Sequence, residues 1–206
     1  MIEHNGVVLV LSGPSGAGKS SLINKIADDI GDYYFSISTT TRPMRDGEKE
    51  GVHYHYVSEE EFKEDIQEDN FLEYATVHNN YYGTSLKPVR KALAEGKLVI
   101  FDIDVQGNTA IKNRLGDITT SVFITPPSLS ELKKRLVNRG TDAQEVIDNR
   151  IKMAKKEIQR TSEYDYLIIN DEIDIAAEVL KRVALTARLK IPQDKINDFV
   201  QKWEDI

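Results

Sequence analysis

There is no cysteine among the 206 residues, which excludes structural disulfides, thiolate metal sites and a cysteine nucleophile, and makes the chain compatible with a reducing cytoplasm. Long apolar runs are also missing, and none approaches the roughly 18 residues a membrane-spanning helix needs. The opening Met1 to Gly6 lacks the basic segment, apolar run and small-residue cleavage site of a secretory leader. Positive charge is in deficit. With 27 Lys and Arg against 34 Asp and Glu, the formal net charge is -7, so the chain as a whole attracts neither nucleic acid nor anionic lipid and any phosphate site must be local. No repeat, low-complexity tract or Pro/Ser-rich linker interrupts the sequence. What remains is a chain that is 40% hydrophobic, long enough to bury a sizeable core as a single domain, and expected to be a cytoplasmic monomer or homodimer with no membrane or nucleic-acid partner.

Short apolar runs at Val7 to Leu11, Tyr33 to Ile37, Leu98 to Ile103, Ser121 to Ile124 and Tyr166 to Ile169 read as strands buried on both faces. Helical patterns occupy Ser20 to Ile30, Leu86 to Glu95, Val105 to Leu115, Ser128 to Arg139 and Ile173 to Leu189. Alternation of the two predicts an α/β fold with a central parallel sheet flanked by helices. Ser58-x-x-Glu61, Ser128-x-x-Glu131 and Thr141-x-x-Gln144 have the spacing of capping boxes, and Gly96 and Gly140 that of helix stops. The polar stretch from about Ser38 to Pro88 breaks the rhythm and reads as an insertion beside the sheet. The segment Lys190 to Ile206 reads as a terminal helix or tail.

Gly13-Pro14-Ser15-Gly16-Ala17-Gly18-Lys19-Ser20 fits G-x-x-x-x-G-K-[ST] at every fixed position, after a strand pattern and before a helical one. Glycines let successive N–H groups converge on a phosphate, and the following helix, which opens with Ser20 and Ser21, adds its positive end. Lys19 is expected to reach the β- and γ-phosphates of ATP and the Ser20 hydroxyl to face Mg²⁺. Without the lysine and serine the stretch would read only as a glycine-rich turn. Leu98 to Asp104 is an apolar strand closing on Asp102 and Asp104, whose spacing of two places both carboxylates on one strand face, where a nucleotide or, through Asp102, a metal ion would meet them.

Phosphoryl transfer between nucleotides brings several phosphates together, and guanidinium groups neutralise them. Arg42 and Arg45 lie in the insertion, while Arg135 and Arg139 share a helix face, with Arg150 on the next helix. Any one of these arginines alone would read as a solvated surface residue. Ordered along the chain, Ser38-Thr39-Thr40-Thr41-Arg42-x-x-Arg45-x-Gly47-Glu48, Gly51-x-x-Tyr54, Glu73, Tyr81-Tyr82-Gly83-Thr84 and Asp102-Ile103-Asp104-x-Gln106-Gly107 closely resemble the signature of guanylate kinases, over nearly the whole chain to about Asp171. Pro43 directly after Arg42, and Thr84 where some members have serine, are small departures.

The resemblance implies a phosphate-loop kinase core at about residues 1–37, 89–127 and 162–206, a GMP-binding insertion at about 38–88 and a helical lid at about 128–161. It implies that Arg42, Arg45, Tyr54 and Tyr82 hold the GMP phosphate, with Glu48 and Gly83 in the same site, and that Ser38, Glu73 and Thr84 read the guanine edge. A carboxylate suits guanine, accepting from both the ring N–H and the exocyclic amine, so Glu73 is the expected specificity residue. Asp102 and Asp104 would lie between acceptor and metal. Arg135, Arg139 and Arg150 would close over the ATP phosphates, Asn170 and Asp171 would touch the adenine side, and Lys19, Arg42 and the three lid arginines would carry catalysis. The implied reaction is direct in-line transfer from ATP to GMP, and also to dGMP, with Mg²⁺ bridging the donor phosphates. A non-catalytic domain that binds a phosphorylated protein would lack parts of the donor site that are intact here, and a GTPase would need an Asn-Lys-x-Asp motif that the chain does not contain. A kinase for another monophosphate is the remaining alternative. His53 and His55 suggest no third metal ligand nearby, and the acidic run from Glu59 lacks a calcium-loop pattern.

Overall fold

The computed structural model describes residues 6–77, 79–138 and 143–204. The first half of the chain runs β1 (Val7–Ser12), α1 (Lys19–Ile26), β2 (Tyr33–Phe35), β3 (Thr39–Thr40), β4 (His55–Tyr56), α2 (Glu59–Gln67), β5 (Phe71–Val77) and β6 (Asn80–Ser85). It continues with α3 (Leu86–Ala94), β7 (Leu98–Asp102), α4 (Val105–Leu115), β8 (Thr119–Thr125), α5 (Leu129–Asn138), α6 (Gln144–Glu157), β9 (Tyr166–Ile169), α7 (Ile173–Ala187) and α8 (Gln193–Glu204).

Five strands pair in parallel in the order β2-β7-β1-β8-β9. Every residue of β1 and β8 is buried, as expected of parallel strands covered by helices on both faces. Alternation along β1 divides the core. Val7, Leu9 and Leu11 pack with Leu22 and Ile26 of α1 and Leu180 and Ala184 of α7, whereas Val8 and Val10 pack with Val89 of α3 and Ile111 of α4 on the other face. Leu9 has no exposed surface, and truncating such a side chain to alanine costs about 2–5 kcal/mol. Because β1 is flanked by β7 on one side and β8 on the other, its carboxyl end opens the crevice in which sheets of this kind bind ligands.

A second sheet, ordered β4-β3-β6-β5, is mixed, with β3 and β5 antiparallel to β6 and β4 parallel to β3. Helix α2 closes on it through Phe62, whose ring stacks on Phe71 and Tyr81 at centroid separations of 4.1 and 5.2 Å. Helices α5 and α6 bury Leu132, Leu136, Ile147 and Ala154 in a cluster of their own.

Several local readings are modified by the structure. The predicted helix from Ser20 to Ile30 becomes α1 plus a 3-10 turn at Ala27–Asp29, since Asp28 and Asp29 lie where the negative end of the helix disfavours acid. Ser58 and Glu61 form the reciprocal capping box. At Ser128 only half of one forms, because the Ser128 hydroxyl accepts from the Glu131 N–H at 3.1 Å while the Glu131 carboxylate accepts from Arg135. Thr141, Gly140 and Arg139 lie outside the described residues. The strand carrying Asp102 ends there, so Asp104 is not the second member of a strand-face pair. It leaves the sheet as the N-cap of α4, accepting from the N–H groups of Gln106 and Gly107 at 2.8 Å each. No helix among the described residues is long and apolar enough to cross a membrane.

Candidate functional site

The loop between β1 and α1 takes its shape from close contacts that only glycine permits. Gly13 has φ 139°, and a β-carbon there would stand 1.9 Å from the Ile124 carbonyl oxygen of β8. Gly18, the residue before α1, has φ 89°, and a β-carbon would stand 2.5 Å from the Asn170 side-chain nitrogen. Inside the loop the Ala17 N–H donates to the Pro14 carbonyl at 3.0 Å. The result is a cleft of about 690 Å³ lined by Gly13 to Ser21, Asp102, Ile103, Asp104 and Arg135.

Lys19 folds back over this loop. Its ammonium donates to the Gly13 carbonyl at 2.7 Å and stands 3.5 Å from an Asp102 carboxylate oxygen. Burial pushes the Asp102 carboxyl up while the Lys19 charge draws it down. Three elements from the far half of the chain meet the loop. Arg150 of α6 donates to the Ser15 hydroxyl at 2.8 Å, Arg135 of α5 donates to Glu131 at 3.1 Å and to the Asp171 carbonyl at 3.5 Å, and Asn170 donates to the Ala17 carbonyl at 2.8 Å. Asn170 is buried. Its visible partner is the loop backbone.

The insertion assembles a second constellation around Arg42. The guanidinium of Arg42 meets Glu48 at 2.7 Å and lies 5.5 and 6.0 Å from the ring centroids of Tyr54 and Tyr56. Tyr54 in turn meets Tyr82 edge-on at 5.9 Å. Glu48 also accepts from the Arg45 N–H and the Tyr56 hydroxyl, both at 2.8 Å, so its visible partners are protein groups. The Arg45 residue is exposed, and Ser38 contributes its carbonyl to the His55 N–H at 2.9 Å. Glu73 lies on β5 and Thr84 on β6. Partial burial and the Asp104 charge push the Glu73 carboxyl up, opposed by a hydrogen bond from Thr84. Gly83 pairs with Tyr74 on one side and Thr39 on the other.

Tyr56 is the member of this constellation that the sequence reading missed. The signal was present in His53-Tyr54-His55-Tyr56, whose alternation puts both tyrosines on one face of an extended segment. The histidines turn to other work, His55 meeting Glu50 at 2.9 Å.

The Arg42 ion pair and the Arg45 N–H hold the Glu48 carboxyl down at about 2, from an ordinary value of 4.5. A depressed carboxyl contributes stability that is present above pH 4.5 and lost as pH falls through about 2. The expected outcome is that Glu48→Gln melts at a temperature less sensitive to acid than the wild type over that window, as calorimetry at a series of pH values would measure; parallel curves would show that the pair contributes nothing.

Comparison with known proteins gives a consistent result. A family model described as guanylate kinase matches residues 5–187. The guanylate kinase of Sulfurimonas denitrificans is 68% identical over 206 residues, covering 100% of both chains. That of Helicobacter hepaticus is 51% identical, covering 96% of this chain and 98% of its own. Among solved structures, the guanylate kinase of Anaplasma phagocytophilum superposes with a TM-score of 0.64 at 32% identity, covering 92% of this chain and 89% of the other.

Proposed function

The chain belongs to the guanylate kinase family, and from that premise we propose how its residues divide the conversion of ATP and GMP to ADP and GDP. The phosphate loop with Lys19 and Ser20 takes the donor, and the insertion takes the acceptor. Arg42, Arg45, Tyr54 and Tyr82 hold the GMP phosphate, Glu48 keeps Arg42 in place, and Ser38, Glu73 and Thr84 read the guanine of GMP or dGMP. Residues 128–161, with Arg135 and Arg150, form the lid over the donor phosphates; Arg139 joins them by sequence alone.

The observation that carries this reading is the row of charges across the cleft floor. Lys19 stands 3.5 Å from Asp102, and Asp104, two residues beyond, lines the same cleft and its charge pushes up the Glu73 carboxyl. A phosphate arriving in the loop replaces the Gly13 carbonyl and Asp102 as the partner of Lys19, so the lysine changes one set of oxygens for another with little reorganisation. Transfer is in line and direct. The acceptor phosphate, with a second pKa near ~6, is already largely ionised at neutral pH and requires neither a protein nucleophile nor a strong base. Lys19 and the arginines neutralise and align the phosphates, and closure of the lid excludes water that would otherwise accept the phosphoryl group.

Ser20 and Asp102 fit Mg²⁺. Both line the same cleft as the phosphate loop, and Mg²⁺ is an ion that takes one or two protein oxygens and completes its shell with phosphates and water. When bound it would neutralise donor-phosphate charge. The reading places the protein in the cytoplasm as a monomer or homodimer.

The decisive experiment is coupled ADP production with ATP, Mg²⁺ and each of GMP, AMP, dTMP and UMP. Turnover selective for GMP is expected; equal turnover of all four would overturn the acceptor assignment, and none at all would favour a binding domain.

A further inference from the structure

We propose that Asn170 is a positioning residue that sets the orientation of the phosphate loop by holding the Ala17 carbonyl from beneath, and that it does not read the adenine base. The inference rests on the kinase reading above and concerns the same site.

The local structure places this side chain without ambiguity of face. The Asn170 N–H donates to the Thr125 carbonyl at 2.8 Å, adding one more parallel rung beyond the end of β9. Side chains along an extended segment alternate, so Asn170 shares a face with Ile168 two residues earlier. Ile168 is buried in the cluster that includes α1 and α7. Asn170 therefore points under the start of α1, where only 3% of it is exposed, and its amide reaches the Ala17 carbonyl across 153 residues of chain at 2.8 Å. The close approach of this amide to Gly18 is what forbids a β-carbon there.

A peptide unit is rigid and trans, so its C=O and N–H point in opposite directions. Holding the Ala17 carbonyl down therefore turns the Gly18 N–H up, towards the cleft that Gly18 lines. That N–H is one of the donors a phosphate-binding loop must present. Without Asn170 the buried Ala17 carbonyl loses its partner, and the peptide is free to rotate towards whatever satisfies it. The effect should fall on phosphate binding as such, whatever base the phosphates carry.

The test uses the full chain and inorganic tripolyphosphate, which has no base. Asn170→Ala should raise the Kd for tripolyphosphate by about tenfold to a hundredfold, the range expected for one buried acceptor left unpaired. The KM values for ATP and ITP should rise by the same factor, leaving their ratio unchanged, while the Kd for GMP by direct titration stays within about twofold, since the bonds Asn170 makes, to Ala17 and Thr125, lie outside the insertion. Asn170→Asp should be no better than alanine, because a carboxylate cannot donate to a carbonyl. An unchanged tripolyphosphate Kd with a collapsed preference for ATP over ITP would overturn the proposal in favour of a base contact. A GMP Kd raised by the same factor would overturn it in favour of general packing. Should the wild type turn over no monophosphate, the kinase reading fails, yet the tripolyphosphate titration still decides the role of Asn170.

Discussion

Replacing Lys19 by alanine is expected to lower turnover of ATP and GMP by about a thousandfold or more, the largest loss of any single change in the cleft. Removing one preorganised donor from a site of developing charge costs about 10²–10³ in rate, and Lys19 supplies a full charge as well. The backbone of the loop should survive, because its shape rests on the close contacts of Gly13 and Gly18 and on the Asn170 amide, and the lysine's one bond to that backbone, at the Gly13 carbonyl, is all that is lost with it. A second consequence follows at Asp102. The lysine is the group that draws the buried Asp102 carboxyl down, so in Lys19→Ala that carboxyl rises further and a metal ion loses an ionised ligand on the acid side. Lys19→Arg should not restore activity, since a planar guanidinium does not fit where a compact ammonium meets Gly13 and Asp102. Steady-state assay with tripolyphosphate titration separates the effects: kcat should collapse while the fold, read by GMP binding, is kept. Turnover within tenfold of wild type would remove Lys19 from the mechanism.

What the sequence made legible, and what it did not, follows from the range of the interactions concerned. The core strands were readable because burial on both faces leaves continuous apolar runs, as in Val7 to Leu11. The phosphate loop was readable because all its special residues are adjacent. Asp104 was misplaced because whether a residue continues a strand or caps a helix depends on where tertiary pairing ends, and the pairing of β7 with β1 ends at Asp102 opposite Leu11. Glu48 was expected in the GMP site, but that its oxygens meet Arg42, Arg45 and Tyr56 could not be read from spacing, because the turn that brings them together is set by the fold. The link from Asn170 to Ala17 joins the last strand of the sheet to the loop after the first, and no local pattern encodes such a contact.

Glu73 carries the second large effect, and its chemistry makes selectivity and stability pull in opposite directions. Guanine offers two adjacent donors, which an ionised carboxylate accepts together and an amide cannot. Glu73→Gln and Glu73→Ala should each lower kcat/KM for GMP by about 10²–10³, as sites built to pair with a polar edge do when that pairing is lost, with little change for AMP. The Glu73 carboxyl sits above its ordinary value because of partial burial and the nearby Asp104. Acid should therefore protonate it earlier than an ordinary glutamate, adding to the wild-type profile of kcat/KM for GMP an acid limb that Glu73→Gln lacks. The sign for stability is the reverse of that for Glu48. A carboxyl with a raised folded-state pKa favours the fold when protonated and opposes it when ionised, so at neutral pH the charge on Glu73 weakens the fold that displays it. Glu73→Gln should accordingly melt no lower than wild type at pH 7 while losing GMP selectivity, the pattern of a residue kept for function against stability. A variant that melted lower and still preferred GMP would identify Glu73 as a structural residue and return the guanine edge to Ser38 and Thr84.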